Sequence, residues 1–254
     1  ELDKLMSTNK ITAYIGFDIT SDSLHIGSLV QLMLLKWLNY YGHNTIALVG
    51  GGTTLVGDPS GKDNTRKIMT LKQISENINK IEKTFNQFIN IKKRGSVINN
   101  YEWLADLNYI NFLRDIGTKL TINKMLTYES VKNRLDREQA LTFLEFNYML
   151  LQSYDFYHLK KNYDCVLQMG GSDQWGNIIN GIDLIKKILN EKSYALTSPL
   201  ITNSDGSKMG KTEKGAVWLD GNKLSNFDFY QFWRNIDDTN VEKFLKLFTK
   251  IDLK

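Results

Sequence analysis

The sequence predicts an α/β fold built on an open parallel sheet, and three observations carry that prediction. First, ITAYIGFDI (11–19) is rich in β-branched and aromatic residues and reads as a strand. Residues 26–41 then set Ile26, Leu29, Val30, Met33, Leu34, Trp37 and Leu38 at helical spacing, and NTIALVG (44–50) reads as a buried second strand. A strand, helix and strand this close together form a βαβ unit, whose strands run parallel. Second, a strand YDCVLQM (163–169), a loop GGSDQ (170–174) and a helix over 175–189 repeat that order. Third, the predicted strands are followed, after residues 19, 49, 169 and 202, by loops of glycine and polar residues. In an open parallel sheet such loops gather at the carboxyl edge, where ligands bind.

The remaining elements follow in order. SDS (21–23) offers N-caps for the first long helix, and Gly42 ends it. A glycine-rich loop, GGGTTLVGDPSGK (50–62), follows the second strand. Residues 71–94 predict a long polar helix, SVINNYEWL (96–104) a strand, and 108–160 mostly helix. ALTSPLIT (195–202) reads as a strand and NSDGSKMGKT (203–212) as a loop. NFDFYQFWRNI (226–236) and NVEKFLKLF (240–248) read as amphipathic helices.

Composition bounds the class. With 254 residues, 42% hydrophobic and 24% charged, the chain can bury a sizeable core. A net charge of +4 permits an anionic partner without demanding one. One cysteine, Cys165, excludes a disulfide framework within the chain and a cysteine-based metal site, and fits a reducing, cytoplasmic setting. No apolar run approaches the ~18 residues that span a bilayer, so no membrane partner is expected. The first residues, ELDKLMSTNK, lack a signal-peptide core and an initiator methionine, so further residues are expected before them.

Three groups of residues carry chemistry. His25 and Gly27 stand at the start of a helix after a strand. Exposed N–H groups there favour phosphate, and a glycine lets a flat ligand approach the backbone. Taken alone, His25 reads more simply as a loop cap. Neither standard phosphate motif fits. Val56 and Asp63 break a P-loop around Gly61–Lys62, and Leu55 replaces the third glycine of a dinucleotide fingerprint. Lys208 and Lys211, three apart in a glycine-flanked loop, can neutralise charge on a phosphate chain, although two lysines in a loop more often mean a solvated face. Tyr148, Gln152 and Asp155 share a helix face with Leu141, Leu144, Leu151 and Leu159. A carboxylate in a buried stripe costs several kcal/mol unless paired. A polar small-molecule pocket explains it better than packing does.

Together these residues resemble the class I aminoacyl-tRNA synthetases, and among them the bacterial-type tyrosyl-tRNA synthetases. HIGS (25–28) is similar to the HIGH signature and KMGKT (208–212) to the KMSKS signature. YIGFDITSDSLHIG, ALVGGGTTLVGDPSGK, YMLLQSYD and GGSDQWGN resemble that family's own blocks, in its order. The likeness runs from about Thr12 to the end of the chain. It implies a Rossmann-like catalytic domain over residues 1–222, with helices on both faces of the sheet and a helical insertion near 108–140 used for homodimerisation. The start of an α-helical domain would occupy 223–254, and the family's C-terminal tRNA-binding domain is expected to lie outside this chain.

The resemblance also implies roles. Tyr14 and Asp155 would bond the hydroxyl of substrate tyrosine. Asp58, Tyr148 and Gln152 would hold its ammonium group, and Gln168 would help place the carboxylate region. Gly16, Asp18, Gly27, Asp173 and Gln174 would line the ATP and adenylate site. His25, Lys208, Lys211 and Thr212 would stabilise the transferring phosphates, and Lys62 and Arg66 would sit near the lysine loop or the tRNA acceptor end. The partners implied are L-tyrosine, ATP with Mg²⁺, tRNA(Tyr) and a second copy of the chain. No resident metal or tightly bound cofactor is expected.

Three positions depart from the pattern. Ser28 stands for the second signature histidine, Ile15 for a cysteine often found beside the ribose, and Ile19 for a proline. Ser28 gives a foothold to an alternative, a catalytically impaired relative that binds RNA, which tyrosine-dependent pyrophosphate exchange would distinguish. A tryptophan enzyme fits less well, because indole has no hydroxyl for Tyr14 and Asp155.

Overall fold

The computed structural model describes residues 1–58, 69–90, 93–202, 209–212 and 215–252. Helix α1 (Leu2–Thr8) leads into β1 (Thr12–Asp18), α2 (Leu29–Tyr40), β2 (Asn44–Gly50), the short α3 (Thr53–Val56), α4 (Leu71–Phe88) and β3 (Gly95–Asn99). Short helices α5 (Tyr101–Leu104), α6 (Tyr109–Asp115), α7 (Ile122–Met125) and α8 (Glu129–Asp136) precede the long α9 (Phe143–Tyr163). Then come β4 (Cys165–Gly171), α10 (Trp175–Leu189), β5 (Tyr194–Ser198), the ribbon β6 (Lys211–Thr212) and β7 (Gly215–Ala216), α11 (Asn226–Arg234) and α12 (Asp238–Phe248). The main sheet has the order β3-β2-β1-β4-β5, and every pairing in it is parallel.

Strand periodicity divides β1 between two layers. Ala13, Ile15 and Phe17, with Ala47 and Val49 of β2, pack against Leu32 and Leu35 of α2 and Ile81 and Phe85 of α4. On the opposite face Tyr14, Ile46 and Leu48 pack with Phe156 and Leu159 of α9 and Ile185 of α10. Helices therefore cover both faces, as the βαβ pattern requires. In the β1–β4 pairing Thr12 sits opposite Cys165 but Ala13 opposite Leu167, so β4 carries one extra residue, Val166. This bulge turns Gln168 onto the face of its partner Tyr14.

α9 starts with a capping box. Thr142 Oγ1 accepts from the Glu145 N–H at 3.2 Å, and Glu145 Oε2 accepts from the Thr142 N–H at 3.0 Å. It ends at Asp164, in the left-handed conformation at φ +47°. The leucine stripe expected on it needs correction: Leu144 is exposed. Burial comes instead from Phe156 and Leu159 toward the sheet and from Met149 and Leu150, which pack with Met125 and Val131. The helix is wrapped on more than one side, so no single leucine row marks its core.

Other boundaries move for local reasons. SVINNYEWL is not one strand: β3 stops at Asn99 and α5 begins at Tyr101. Asn99 Oδ1 accepts from the N–H of Gly51 at 3.2 Å and of Tyr101 at 3.0 Å, which turns the chain. The helix expected over 71–94 ends at Phe88, where the Asn90 carbonyl gathers N–H groups from Lys93, Arg94 and Gly95. The strand expected over 195–202 stops at Ser198, before Pro199. Of the loop over 203–212, residues 203–208 lie outside the described residues, and Lys211–Thr212 pair with Gly215–Ala216. α11 and α12 pack Phe229, Trp233 and Phe244 onto Val30, Met33 and Trp37 of α2. Among the described residues no helix is long and apolar enough to cross a membrane.

Candidate active site

A cavity of about 290 Å³ opens at the carboxyl edge of the sheet, between β1, β4 and α9. Tyr14, Gly16 and Asp18 line it, and strand alternation explains all three: they occupy one face of β1. Gln168 and Gly170 reach it from β4 for the same reason, once the bulge has set their register. Tyr148, Gln152 and Asp155 reach it from α9.

At the floor Asp155 is 2% exposed. Its Oδ2 accepts from Asn100 Nδ2 at 2.9 Å and its Oδ1 from Trp103 Nε1 at 2.8 Å. Burial pushes its carboxyl up to about 7; the two hydrogen bonds pull the other way, and the charge of Asp18 adds to the rise. Tyr14 packs on Phe156 with ring centroids 5.4 Å apart. Its hydroxyl is buried and has no hydrogen-bond partner among the described residues. Burial first, then the charge of Asp155, holds that phenol well above its usual range.

Higher in the cavity Tyr148 Oη lies 3.2 Å from Asp18 Oδ1 and 3.3 Å from Oδ2, and donates to that carboxylate. Thr53 Oγ1 also donates to Asp18 Oδ1, at 3.1 Å. Gln174 Nε2 donates to Asp58 Oδ2 at 3.0 Å, and Asn177 Nδ2 donates to Gln174 Oε1 at 3.2 Å. The Oε1 atoms of Gln152 and Gln168 are buried and unpartnered among the described residues, like Tyr14 Oη. Buried polar atoms cost about 1–3 kcal/mol each when unsatisfied. Three around one cavity mark it as a place for a polar ligand. The described lining includes carboxylates from Asp18, Asp58, Asp155 and Asp173 but no lysine or arginine, so it favours a cationic group.

The mouth joins the two predicted signatures. His25 does cap: its Nδ1 accepts from the Gly27 N–H at 2.9 Å, so the neutral ring carries its proton on Nε2. The ring sits beside Trp218, centroids 6.3 Å apart. Residues 217–219 run antiparallel to 24–26, through the Ile26 N–H to the Val217 carbonyl and the Leu219 N–H to the Leu24 carbonyl, each 2.9 Å. The Val217 N–H bonds the Gly210 carbonyl at 3.0 Å. The segment after the lysine motif is thereby laced to the histidine motif. Gly27, Ser28, Asp173 and Gln174 line the cavity here.

Tyr14, Gly16, Asp18, Gly27, Asp58, Tyr148, Gln152, Asp155, Gln168, Asp173 and Gln174 thus share one cavity, with His25 at its rim. Lys62, Arg66 and Lys208 lie outside the described residues, and of Lys211 and Thr212 the backbone alone is described. Sequence reasoning missed Asn100, Trp103 and Thr53. The Asn-Asn pair at 99–100 marks the end of a strand but not which side chain turns to the cavity, and Trp103 and Thr53 carry no signal. At Ile19 the departure from proline has a use, since its N–H donates to Thr54 Oγ1 at 2.8 Å.

The family model for tRNA synthetases class I (W and Y) matches residues 6–254. A tyrosine–tRNA ligase of Pelagibacter ubique is 58% identical over 255 aligned positions, covering 99% of this chain and 62% of that protein. One from Wolbachia pipientis is 55% identical, covering 99% and 61%. This chain therefore spans about three-fifths of the length of the curated relatives it matches. Among solved structures, a C-terminally truncated mitochondrial tyrosyl-tRNA synthetase of Aspergillus nidulans superposes with a TM-score of 0.85 at 30% identity, covering 99% of this chain and 75% of that one. A tyrosyl-tRNA synthetase of Archaeoglobus fulgidus, at 19% identity and a TM-score of 0.72, shares the fold. By its sequence blocks, its sheet and these relatives, the chain belongs to the class I tRNA synthetases of the tryptophan and tyrosine group, on the bacterial-type tyrosyl branch.

Proposed function

We propose that this chain carries the amino-acid-activating site of a tyrosine–tRNA ligase. L-Tyrosine and ATP give tyrosyl-adenylate and pyrophosphate, and the tyrosyl group passes to the 3′ end of tRNA(Tyr). The observation that carries the reading is the cavity floor, where the unpartnered hydroxyl of Tyr14 and the carboxylate of Asp155 line one buried space.

The chemistry follows from the residues. A substrate phenol donates its proton to Asp155 and accepts from Tyr14 Oη. Phenylalanine would leave both unpaired, which is how a polar site rejects an analogue lacking the hydroxyl. The wall formed by Asp58, Tyr148 and Gln152 Oε1 suits the substrate ammonium, Gln168 suits its carboxylate region, and Asp18 borders the adenylate side. The tyrosine carboxylate is already ionised near neutral pH and attacks the α-phosphate without a general base. Positioning and charge neutralisation carry the step. Gly27 and Gly16 let the adenosine approach the backbone, Asp173 and Gln174 border it, and His25 Nε2–H donates toward phosphate. Lys208, Lys211 and Thr212 supply the charge and hydrogen bonds that the lining lacks, with Mg²⁺ accompanying ATP as substrate. Lys62 and Arg66 serve the acceptor end of the tRNA.

A homodimer in the cytoplasm completes the proposal. The exposed side chains of Tyr109, Ile110, Ile122 and Phe143 support a subunit contact over α6 to α9. The test is exchange of labelled pyrophosphate into ATP. The proposal expects exchange with tyrosine and none with phenylalanine or tryptophan. Folded protein that binds tyrosine without exchange would favour an RNA-binding relative.

A further inference from the structure

His158 and Trp103 do not line the cavity, yet they form the tightest ring stack near it. Their centroids are 4.2 Å apart and their planes 12° apart. Trp103 is 8% exposed and stands on α5, a helix of four residues that has almost no stability of its own. Its indole is therefore held from outside. On one edge Nε1–H is committed to Asp155 Oδ1 at 2.8 Å. On its face lies the imidazole of His158, one turn along α9 from Asp155. His158 is itself bracketed by Tyr154 and Tyr163, with centroids 6.3 and 6.5 Å away. Both ends of the clamp thus sit on α9, and the carboxylate it fixes belongs to the floor of the cavity.

We propose that His158 is a positioning residue for hydroxyl recognition: its ring clamps Trp103, and Trp103 in turn fixes the direction of the Asp155 carboxylate. The idea rests on the activity proposed above. A carboxylate held by two donors keeps its remaining lone pairs aimed at one point. With the ring gone, the indole can turn about its side-chain torsions, and Asp155 keeps Asn100 as its firm donor. An aromatic residue of similar flatness at 158 restores the stack without restoring any imidazole chemistry.

The test compares His158→Ala with His158→Phe in tyrosine-dependent pyrophosphate exchange, alongside exchange protection of the Trp103 indole N–H by NMR, assigned with Trp103→Phe. His158→Ala is expected to raise KM for tyrosine about three- to tenfold, the range of one such aromatic pair. It should change kcat less than twofold, narrow the preference for tyrosine over phenylalanine, and expose the indole N–H. His158→Phe is expected to stay within about twofold of the unaltered protein on every readout. Unchanged KM and selectivity in a folded His158→Ala protein would overturn the proposal, as would a His158→Phe protein equally impaired. The NMR readout needs no reaction. If the unaltered protein catalyses no exchange but binds tyrosine, the activity reading fails, and calorimetric tyrosine affinity of the same variants decides the clamp by the same thresholds.

Discussion

Gly210 rests against Gly27: a side chain at 210 would start 3.1 Å from the Gly27 nitrogen and 3.0 Å from Ile26 Cγ2. Gly210 also has φ +102°, a conformation that L residues resist. The glycine of the lysine motif and the glycine of the histidine motif thus make one close backbone contact. Gly210→Ala should cost about 1–3 kcal/mol of stability and lower the adenylation rate at least about tenfold by pushing the lysine segment off the rim. Gly215→Ala is the matched comparison, with φ +108° and no described atom within 4 Å of the added Cβ. It should show the thermal destabilisation with a smaller rate loss, since it strains the ribbon that carries Lys211 and Thr212 without crowding Gly27.

Tyr14→Phe removes a buried hydroxyl that has no partner among the described residues. The variant should be as stable as the parent or more so, by up to about 1–2 kcal/mol, while binding tyrosine about three- to tenfold more weakly. Thermal unfolding and calorimetry, each run without and with tyrosine, would separate the two effects. A protein destabilised in both conditions would mean the hydroxyl is structural.

The pH dependence has a defined sign. The Asp155 carboxyl lies at about 7 when folded against 3.8 ordinarily, chiefly through burial. The folded chain therefore binds this proton more tightly than the unfolded chain. The stabilisation is complete below about pH 4 and is lost as pH rises through about 7. Asp155→Asn lacks that slope. Between pH 8 and pH 5 the parent should gain on the variant by about 3 kcal/mol in urea titrations. A difference independent of pH would mean the carboxyl titrates normally.

The exposed apolar side chains of α6 to α9 predict a subunit contact. Ile122→Asp combined with Phe143→Asp should yield monomers in sedimentation velocity, with unfolding temperature almost unchanged at low protein concentration. Dimers that persist would place the contact elsewhere.

The sheet was legible because β1 and β2 are apolar runs with β-branched and aromatic residues, and β4 is a mostly buried run that ends in a glycine loop. The cavity was legible for residues on strands and on α9, where fixed periodicity brings Tyr14 with Asp18 and Tyr148 with Asp155. Asn100 and Trp103 were not legible. They stand on a turn and a four-residue helix, where no period points a side chain, and their use depends on a partner 55 or 52 positions away. The leucine row on α9 misled because a helix packed on several sides has no single apolar stripe. The lacing of 217–219 onto 24–26 joins distant segments through backbone atoms, which leave no mark on side-chain choice.

The central claim is that the cavity floor reads a phenol hydroxyl through Tyr14 and Asp155. Calorimetric titration of the unaltered protein with tyrosine and, separately, with phenylalanine tests it most directly. Recognition by that pair predicts firm tyrosine binding and phenylalanine binding weaker by at least about a hundredfold, the loss of two hydrogen bonds including one to a charged group. Comparable affinities for the two amino acids would contradict it.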